Sequence, residues 1–452
     1  MNRKHKGMRI VALLLLGAML LTGCGESKES SEPAGNVGQA LVTSDVEAIW
    51  EKTYPNTYNS ASGSYNTDLR PDGSANICYT DFATGQKIVL CSQLNCAHDN
   101  EACSAWVNAV GGKVMPIPVG DKVVLLYGGS AYDYEFFGDA AAARVEIMNA
   151  DGTDRRLIHT FAATEQVAFM PFAGLARDKE NLYFAIEDSQ TGPGVRTIYA
   201  ANVISGTVTP VYQMTHEEEH IVGGVGNQLI LEYSVGAFDM SIPGSQLVTQ
   251  VVRLDPATGE TVPLFKHSYI DAGGCKNGQY ILLQTDHMLR SYDLMTGELV
   301  RETPVELGDS NDMLKNFDWG HMYFMGIYDG KLLVNSFPVN TEELRNWVGE
   351  DPEHHSIPWL YYGIDIETGT AYEVHQTYQD GDDNRMLAVI AAETDSHFLL
   401  RYSSTKTGPM YVKKLDGTVC DMGFSNDIYG FVPKEDFWND TGKIIPVIDA
   451  TK

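Results

Sequence analysis

Short runs in which apolar and polar residues alternate recur through most of the chain. The clearest are Lys122–Tyr127, Asn181–Ile186, Gln228–Tyr233, Gln279–Gln284, Lys331–Ser336 and Ser396–Tyr402. Alternation with period two, rich in β-branched and aromatic residues and bounded by polar or glycine-containing stretches, predicts β-strands. Each run leads to a second strand-like run, a turn phrase and a third run. Helical periodicity is scarce, and Thr341–Val348 is the one short helix the pattern predicts. An all-β chain is expected.

The turn phrase is an acidic or amide residue, two variable residues, Thr or Ser, then Gly. It stands at Asp81–Gly85, Asn202–Gly206, Asp255–Gly259, Asp293–Gly297 and Asp365–Gly369, with shortened forms at Asn149–Gly152 and Asp416–Gly417. Gly supplies a positive φ and the Asp or Asn oxygen accepts from its own turn backbone, so the phrase closes a hairpin without needing a ligand. Its first residues are 68, 53, 53, 38, 72 and 51 positions apart, a mean of about 56. That is near the length of a four-stranded propeller blade with its loops. Small sheets repeated around an axis also protect the edges that one long open sheet would expose. The expected fold is a β-propeller of about seven four-stranded blades; the intervals of 38 and 72 leave six or eight open.

The phrase resembles the blade-closing turn of quinoprotein-like and WD40-like β-propellers across residues 60–432. The resemblance implies a fold and no particular activity. Quinoprotein repeats usually place a Trp a few residues after the Gly. Val262, Val300 and Val374 occupy such positions, so quinone-cofactor chemistry is not expected.

The N-terminus speaks to location. Arg3, Lys4, Lys6 and Arg9 precede an apolar run from Ile10 to Leu21. A helix needs about 20 apolar residues to span a bilayer, so this basic-then-apolar pattern reads as an export signal over residues 1–23. The run ends in Leu21-Thr22-Gly23-Cys24, which resembles a bacterial lipobox. The resemblance implies cleavage before Cys24 and a diacylglyceryl group on its sulfur. Two acyl chains suffice for stable anchoring. Residues 24–44 are polar and read as a flexible tether with a reach of roughly 25 Å. Residues 45–452 form the propeller domain, expected on the outer face of the bacterial cytoplasmic membrane.

The net charge is −28. An acidic surface of this size argues against nucleic acid as partner and suits a solvated body, cations or a basic partner.

Seven cysteines occur, at 24, 78, 91, 96, 103, 275 and 420. Cys91, Cys96, His98 and Cys103 fall within 13 residues. Three thiols and an imidazole can reach one tetrahedral centre, as in Cys₃His zinc sites, although C-x4-C-x-H-x4-C is not a standard finger spacing. Disulfides compete, because they persist outside the membrane. Cys78 and Cys91 stand on the two arms of the hairpin around Asp81–Gly85, so a bridge among the four cysteines is equally open, and pairing is not readable from sequence. Either way the segment is a long loop leaving the first blade, stapled over one face. The cluster resembles one carried by propeller lipoproteins of anaerobic monoderm bacteria. Cys275 and Cys420 have no local partner and are expected to be buried free thiols.

Other motifs carry less. His216-Glu217-Glu218-Glu219-His220 matches the H-E-x-x-H pattern, which needs both His on one helical face. Here a strand ending near Tyr212 runs into Ile221-Val-Gly-Gly-Val-Gly, and Gly226 stands where a third His would, so an acidic loop is expected. Asp380-Gly-Asp382-Asp383-Asn384 offers oxygens for Ca²⁺ without the distal Glu of an EF-hand and reads as an exposed turn. Tyr183, Tyr199 and Tyr292 read as blade core. The leading functional expectation is a membrane-anchored propeller binding an extracellular protein or glycan without catalysis. The alternative is a carbohydrate-active hydrolase or lyase using carboxylates in the propeller funnel, for which 60 acidic residues nominate no pair; a purely structural or envelope-assembly scaffold is the third.

Overall fold

Period-two alternation gives every strand two apolar faces' worth of work, and the sheets use both. The computed structural model describes residues 37–39, 46–49, 57–110, 113–168, 174–190, 195–216, 218–236, 247–306, 317–336, 360–375, 377–380, 384–405 and 408–451. Cys24, the leader and the helix expected at Thr341–Val348 lie outside them. Among the described residues, seven sheets follow one another around a ring, each built on four neighbouring antiparallel strands and two of them, in blades one and three, carrying two further strands. Blade one comprises Thr57–Asn59, Gly63–Leu69, Ser74–Asp81 and Gln86–Val89, and blade two Val114–Val119, Lys122–Tyr127, Arg144–Asn149 and Arg156–Thr160. Blades three, four and five run over Leu175–Gln213, His220–Ser268 and Ala272–Pro304. Blade six spans Tyr323–Glu373, and blade seven is built from Val389–Glu393, His397–Ser404, Asp427–Pro433 and Ile445–Pro446.

A separate apolar cluster fills each of the seven interfaces between neighbouring blades. In the second strand of blade three, Leu182, Phe184 and Ile186 face blade two, while Tyr183 and Ala185 face blade four. A one-residue slip would exchange the two sets, so the pattern fixes register. First strands line the axis, where their free edge tolerates proline. Pro116 and Pro118 lie in such a strand, Val114–Val119.

Six of the seven turn phrases join the third and fourth strands of blades one to six. At Asp365 one carboxylate oxygen accepts the Glu367 N–H at 3.0 Å, the Thr368 N–H at 2.8 Å and the Thr368 hydroxyl at 3.0 Å. Gly369 has φ 75°, and a Cβ there would stand 2.0 Å from the Pro304 carbonyl oxygen. The seventh phrase differs. Asp416–Gly417 turns a hairpin, Gly408–Lys413 with Val419–Phe424, inserted between the second and third strands of blade seven. Blade seven instead connects its last two strands through the helix Lys434–Trp438. The phrase count therefore equals the blade count although its last copy does not close a blade.

Alternating strand direction puts every first-to-second and third-to-fourth turn on one face, called here the turn face. Second-to-third turns and blade-to-blade connections lie on the opposite, loop face. Ring closure uses both ends of the described chain. Ile448–Asp449 adds a parallel strand outside Gln86–Val89. On the turn face the Val37 N–H donates to the Phe82 carbonyl of blade one, and the Thr394 and Ser396 hydroxyls of blade seven donate to the Val37 carbonyl. Val37 is fully buried, so the ordered body includes residues that composition alone assigns to the tether. Glu47–Ala48 pairs with Leu175–Arg177, on the axial edge of blade three.

Candidate functional site

The fourth strand of blade one is interrupted. Gln86–Val89 pairs with Cys78–Asp81, and Trp106–Asn108 takes up the same edge against Ser74–Asn76. Ile77 holds both ends of the break. It donates its N–H to the Ala105 carbonyl at 2.8 Å and accepts the Leu90 N–H at 2.9 Å. Residues 91–104 thus leave and re-enter the sheet at one point and project from the rim beside blade two. This corrects the expectation of a loop stapled over one face: paired strand segments on either side hold the stem at the outer edge.

Cys91, Cys96, His98 and Cys103 each point one donor atom into a common space, and these atoms all lie within 4.8 Å of one another. His98 Nδ1 is 3.2 Å from Cys103 Sγ. Asn95 and His98 adopt left-handed backbone, φ 57° and 56°, a conformation that non-glycine residues hold only when their surroundings impose it. Burial pushes the Cys103 thiol up to about 12, against the Ala105 N–H that favours its thiolate. Cys91 goes the other way: burial raises it, but the Gln93 N–H and the neighbouring thiols outweigh that and hold it below the ordinary thiol value. All six described cysteines are free thiols.

Cys78 does not join the cluster. Its strand partner is Val89, two residues short of Cys91. It is fully buried beside Asp68 and Lys87, and burial pushes its thiol well up. Alternation along the strand explains this, because Ile77 faces the cluster side and its neighbour must face away. Cys275 and Cys420 are half-buried, the latter in the inserted hairpin.

Blade two braces the stem of the excursion. Arg155 donates to the Ser104 carbonyl at 3.1 Å and the Trp106 carbonyl at 2.5 Å, and its Nε contacts Glu146 at 2.6 Å. Gly152, at φ 84°, leaves room for Leu90, whose carbonyl oxygen would sit 2.4 Å from a Cβ.

The H-E-x-x-H stretch supplies no metal pair. His216 stacks on Tyr233, ring centroids 3.7 Å apart, and His220 opens the strand His220–Val225 with its Nδ1 at 2.8 Å from the Glu218 carbonyl. Glu217 lies outside the described residues, as do Asp382 and Asp383; Asp380 and Asn384 end the paired strands of a hairpin. The turn-phrase residues from Asp81 and Gly85 to Asp416 and Gly417 do not converge on a site.

A second feature was read from the sequence only as a turn. The inserted hairpin of blade seven crosses the loop face to blades one and two. The Tyr411 N–H donates to the Pro71 carbonyl at 2.7 Å and the Leu415 N–H to the Phe136 carbonyl at 2.9 Å, while Lys414 Nζ lies 4.1 Å from the Phe136 ring centroid. At its base Asn426 accepts the Leu69 N–H at 2.7 Å and donates to the Leu69 carbonyl at 3.0 Å. Below the hairpin is a cleft of about 450 Å³, walled by Leu69, Val110, Val114, Phe137 and Met410. Its polar lining residues include Asn66, Thr67, Lys113, Asp133, Ser425, Asn426 and Asp427. Asp427 meets Arg401 at 3.7 Å and accepts the Tyr429 hydroxyl at 3.3 Å. Burial lowers the Lys113 ammonium to about 8, with Asp427 opposing the shift and Arg401 adding to it. The available signal was the strand-like run on both sides of Asp416-Gly417.

No protein-family model matches the chain, and no curated protein does. Solved structures similar to it are β-propellers or contain them. The propeller domain of the Trilobed protease from Pyrococcus furiosus is 9% identical, over 88% of this chain and 98% of that one, with a TM-score of 0.42. BamB from Moraxella catarrhalis is 11% identical, over 87% and 96%, with a TM-score of 0.31. An oligogalacturonate lyase in complex with manganese is 12% identical, over 67% and 73%, with a TM-score of 0.35. The likeness concerns the fold alone.

Proposed function

We propose that this chain is a lipid-anchored extracytoplasmic β-propeller that binds a ligand without transforming it, in the cleft beneath the inserted hairpin of blade seven. The observation that carries the reading is the cleft itself: a concavity roofed by a dedicated insertion, with an apolar wall of Leu69, Val110, Val114, Phe137 and Met410 and a polar side that includes Asn66, Lys113, Asp133 and Asp427. Such sites use the apolar wall for affinity and the polar groups for orientation. The Lys113 ammonium suits an anionic or hydrogen-bond-accepting group on a largely apolar ligand, a small molecule or the side chains of a protein segment. Asp427 is engaged by Arg401 and the Tyr429 hydroxyl, which favours a binding role over general acid–base work. Anchoring rests on the basic and apolar leader ending at Cys24.

Two measurements test the reading. Full-length protein isolated from envelope should carry a co-purifying ligand that native mass spectrometry detects and that Lys113→Glu and Met410→Arg variants lose. Recovery of that ligand chemically unchanged after incubation supports binding; its conversion would favour the hydrolase or lyase reading. Metabolic labelling with a fatty acid should mark the wild-type chain and not Cys24→Ala.

A further inference from the structure

The excursion at the rim of blade one is too polar to hold its own shape. Between Cys91 and Ser104 only Cys103 is buried, and Leu94 at the tip is 94% exposed. An uncrosslinked segment of this kind gains too little from burial to offset the entropy of ordering. The backbone is nevertheless specific. Asn95 and His98 sit in left-handed conformation, the Gln93 side chain donates to the Ala102 carbonyl at 2.9 Å, and the Asn100 carbonyl and side-chain oxygens accept the Cys103 and Ala102 N–H groups at 3.0 Å each. Everything in the loop serves to bring three sulfurs and one imidazole together.

We propose that Cys91, Cys96, His98 and Cys103 bind one zinc ion as a closed, four-coordinate structural site. A disulfide would use two of the three thiols and leave the third and the imidazole unexplained; a metal uses all four. Tetrahedral zinc, with Zn–S about 2.3 Å and Zn–N about 2.0–2.1 Å, separates its ligands by roughly 3.5–3.8 Å. The donors already lie within 4.8 Å of one another, with His98 Nδ1 3.2 Å from Cys103 Sγ, so shifts of about half an ångström, inward for the longer pairs and slightly apart for this one, reach the tetrahedral spacing. Thiolate-rich sets with imidazole select zinc over harder cations. The loop's own bonds, from the Gln93 side chain to Ala102 and from the Ala102 and Cys103 N–H groups to Asn100, hold the backbone that carries the ligands, and hydrogen-bonded outer partners orient metal ligands. With no donor missing, the site has no open position for a substrate, and its role is to lock the excursion onto the stem that Arg155 braces.

The test uses full-length protein purified without chelator. Elemental analysis should find about one zinc per chain, and X-ray absorption on the wild-type protein should report about three sulfurs and one nitrogen around it. Cobalt exchanged into the site should give a thiolate charge-transfer band and intense tetrahedral d–d bands. Cys96→Ser and His98→Ala should lose most of the zinc, whereas Cys275→Ser keeps it. Chelation should expose residues 91–105 to protease at least tenfold faster while the blades stay folded. An intact disulfide among these cysteines in the peptide map of zinc-free wild-type protein overturns the proposal. Zinc retained equally by Cys96→Ser and His98→Ala overturns it as well.

Discussion

Replacing Lys113 by methionine is expected to stabilise the protein at neutral pH. The lysine lies in the cleft wall, and burial lowers its ammonium from 10.5 to about 8, despite Asp427 and with help from Arg401. In the unfolded chain the ordinary value returns. Below pH 8 both states are protonated and the fold carries the full cost of holding the charge. Between about 8 and 10.5 the folded protein has released the proton while the unfolded chain still binds it, so stability rises with pH there. At about 1.4 kcal/mol per decade the cost at pH 7 is at most about 3 kcal/mol. The side chain keeps some contact with water, which reduces the expected gain to about 1–2 kcal/mol. Methionine retains most of the apolar stem and removes the charge. Urea denaturation of wild type and Lys113→Met from pH 6 to 10.5 measures the difference. The variant should lead at pH 7, and its lead should disappear by pH 10.5. A variant less stable than wild type at pH 7, or a lead that does not shrink with pH, would refute the reasoning.

Other expectations concern the turns and the closure of the ring. Gly369→Ala should cost about 2 kcal/mol or more by thermal denaturation, since it adds a clash with Pro304 to the backbone strain, whereas Gly417→Ala, with nothing within 4 Å, should cost about 1 kcal/mol. Thr296 donors hold the Asp293 carboxyl below its ordinary 3.8, so its contribution is complete above about pH 4 and fades as pH falls through the lowered value; Asp293→Asn should flatten that part of the acid-unfolding curve. Deleting residues 447–452 removes the bonds from Ile448 to Gly85 and from Ala450 to Lys87. Calorimetry should then show a lower Tm, and hydrogen exchange should rise first in blades one and seven.

The propeller was readable because each blade writes its own evidence locally: a strand pair, a turn with Asp and Gly, and alternation that serves both neighbours. The seventh phrase was readable as a turn but not as an insertion, because hairpins at Asp293 and Asp416 obey the same local chemistry whatever sheet they belong to. Cys91, Cys96, His98 and Cys103 were legible as a set through proximity in sequence. Cys78 was drawn in by the same proximity and excluded by strand alternation, which the register of Cys78 with Val89 makes visible. The cleft was not legible at all. Lys113, Asp427 and Asn66 meet because the ring closes blade seven onto blade one, and nothing in the spacing of these residues encodes that meeting.

The inserted hairpin and the interrupted rim strand share a position in the blade plan that bears on how this molecule can diversify. The turn face repeats one compact solution from Asp81 to Gly369, and every copy but the one at Asn149, whose side-chain oxygen accepts from Lys122, turns its Asp or Asn oxygen onto its own backbone. The hairpin departs from the loop face, and the Cys/His excursion from the outer edge of blade one, at the break between Gln86–Val89 and Trp106–Asn108. One side of the disc is thus a constant frame, and the other side and rim are open to insertion. Loops of new length or chemistry grafted between residues 404 and 427 would leave the seven interfaces that hold the ring together untouched, whereas a graft between Leu90 and Ala105 would have to replace Cys103, which packs in the interface of blades one and two.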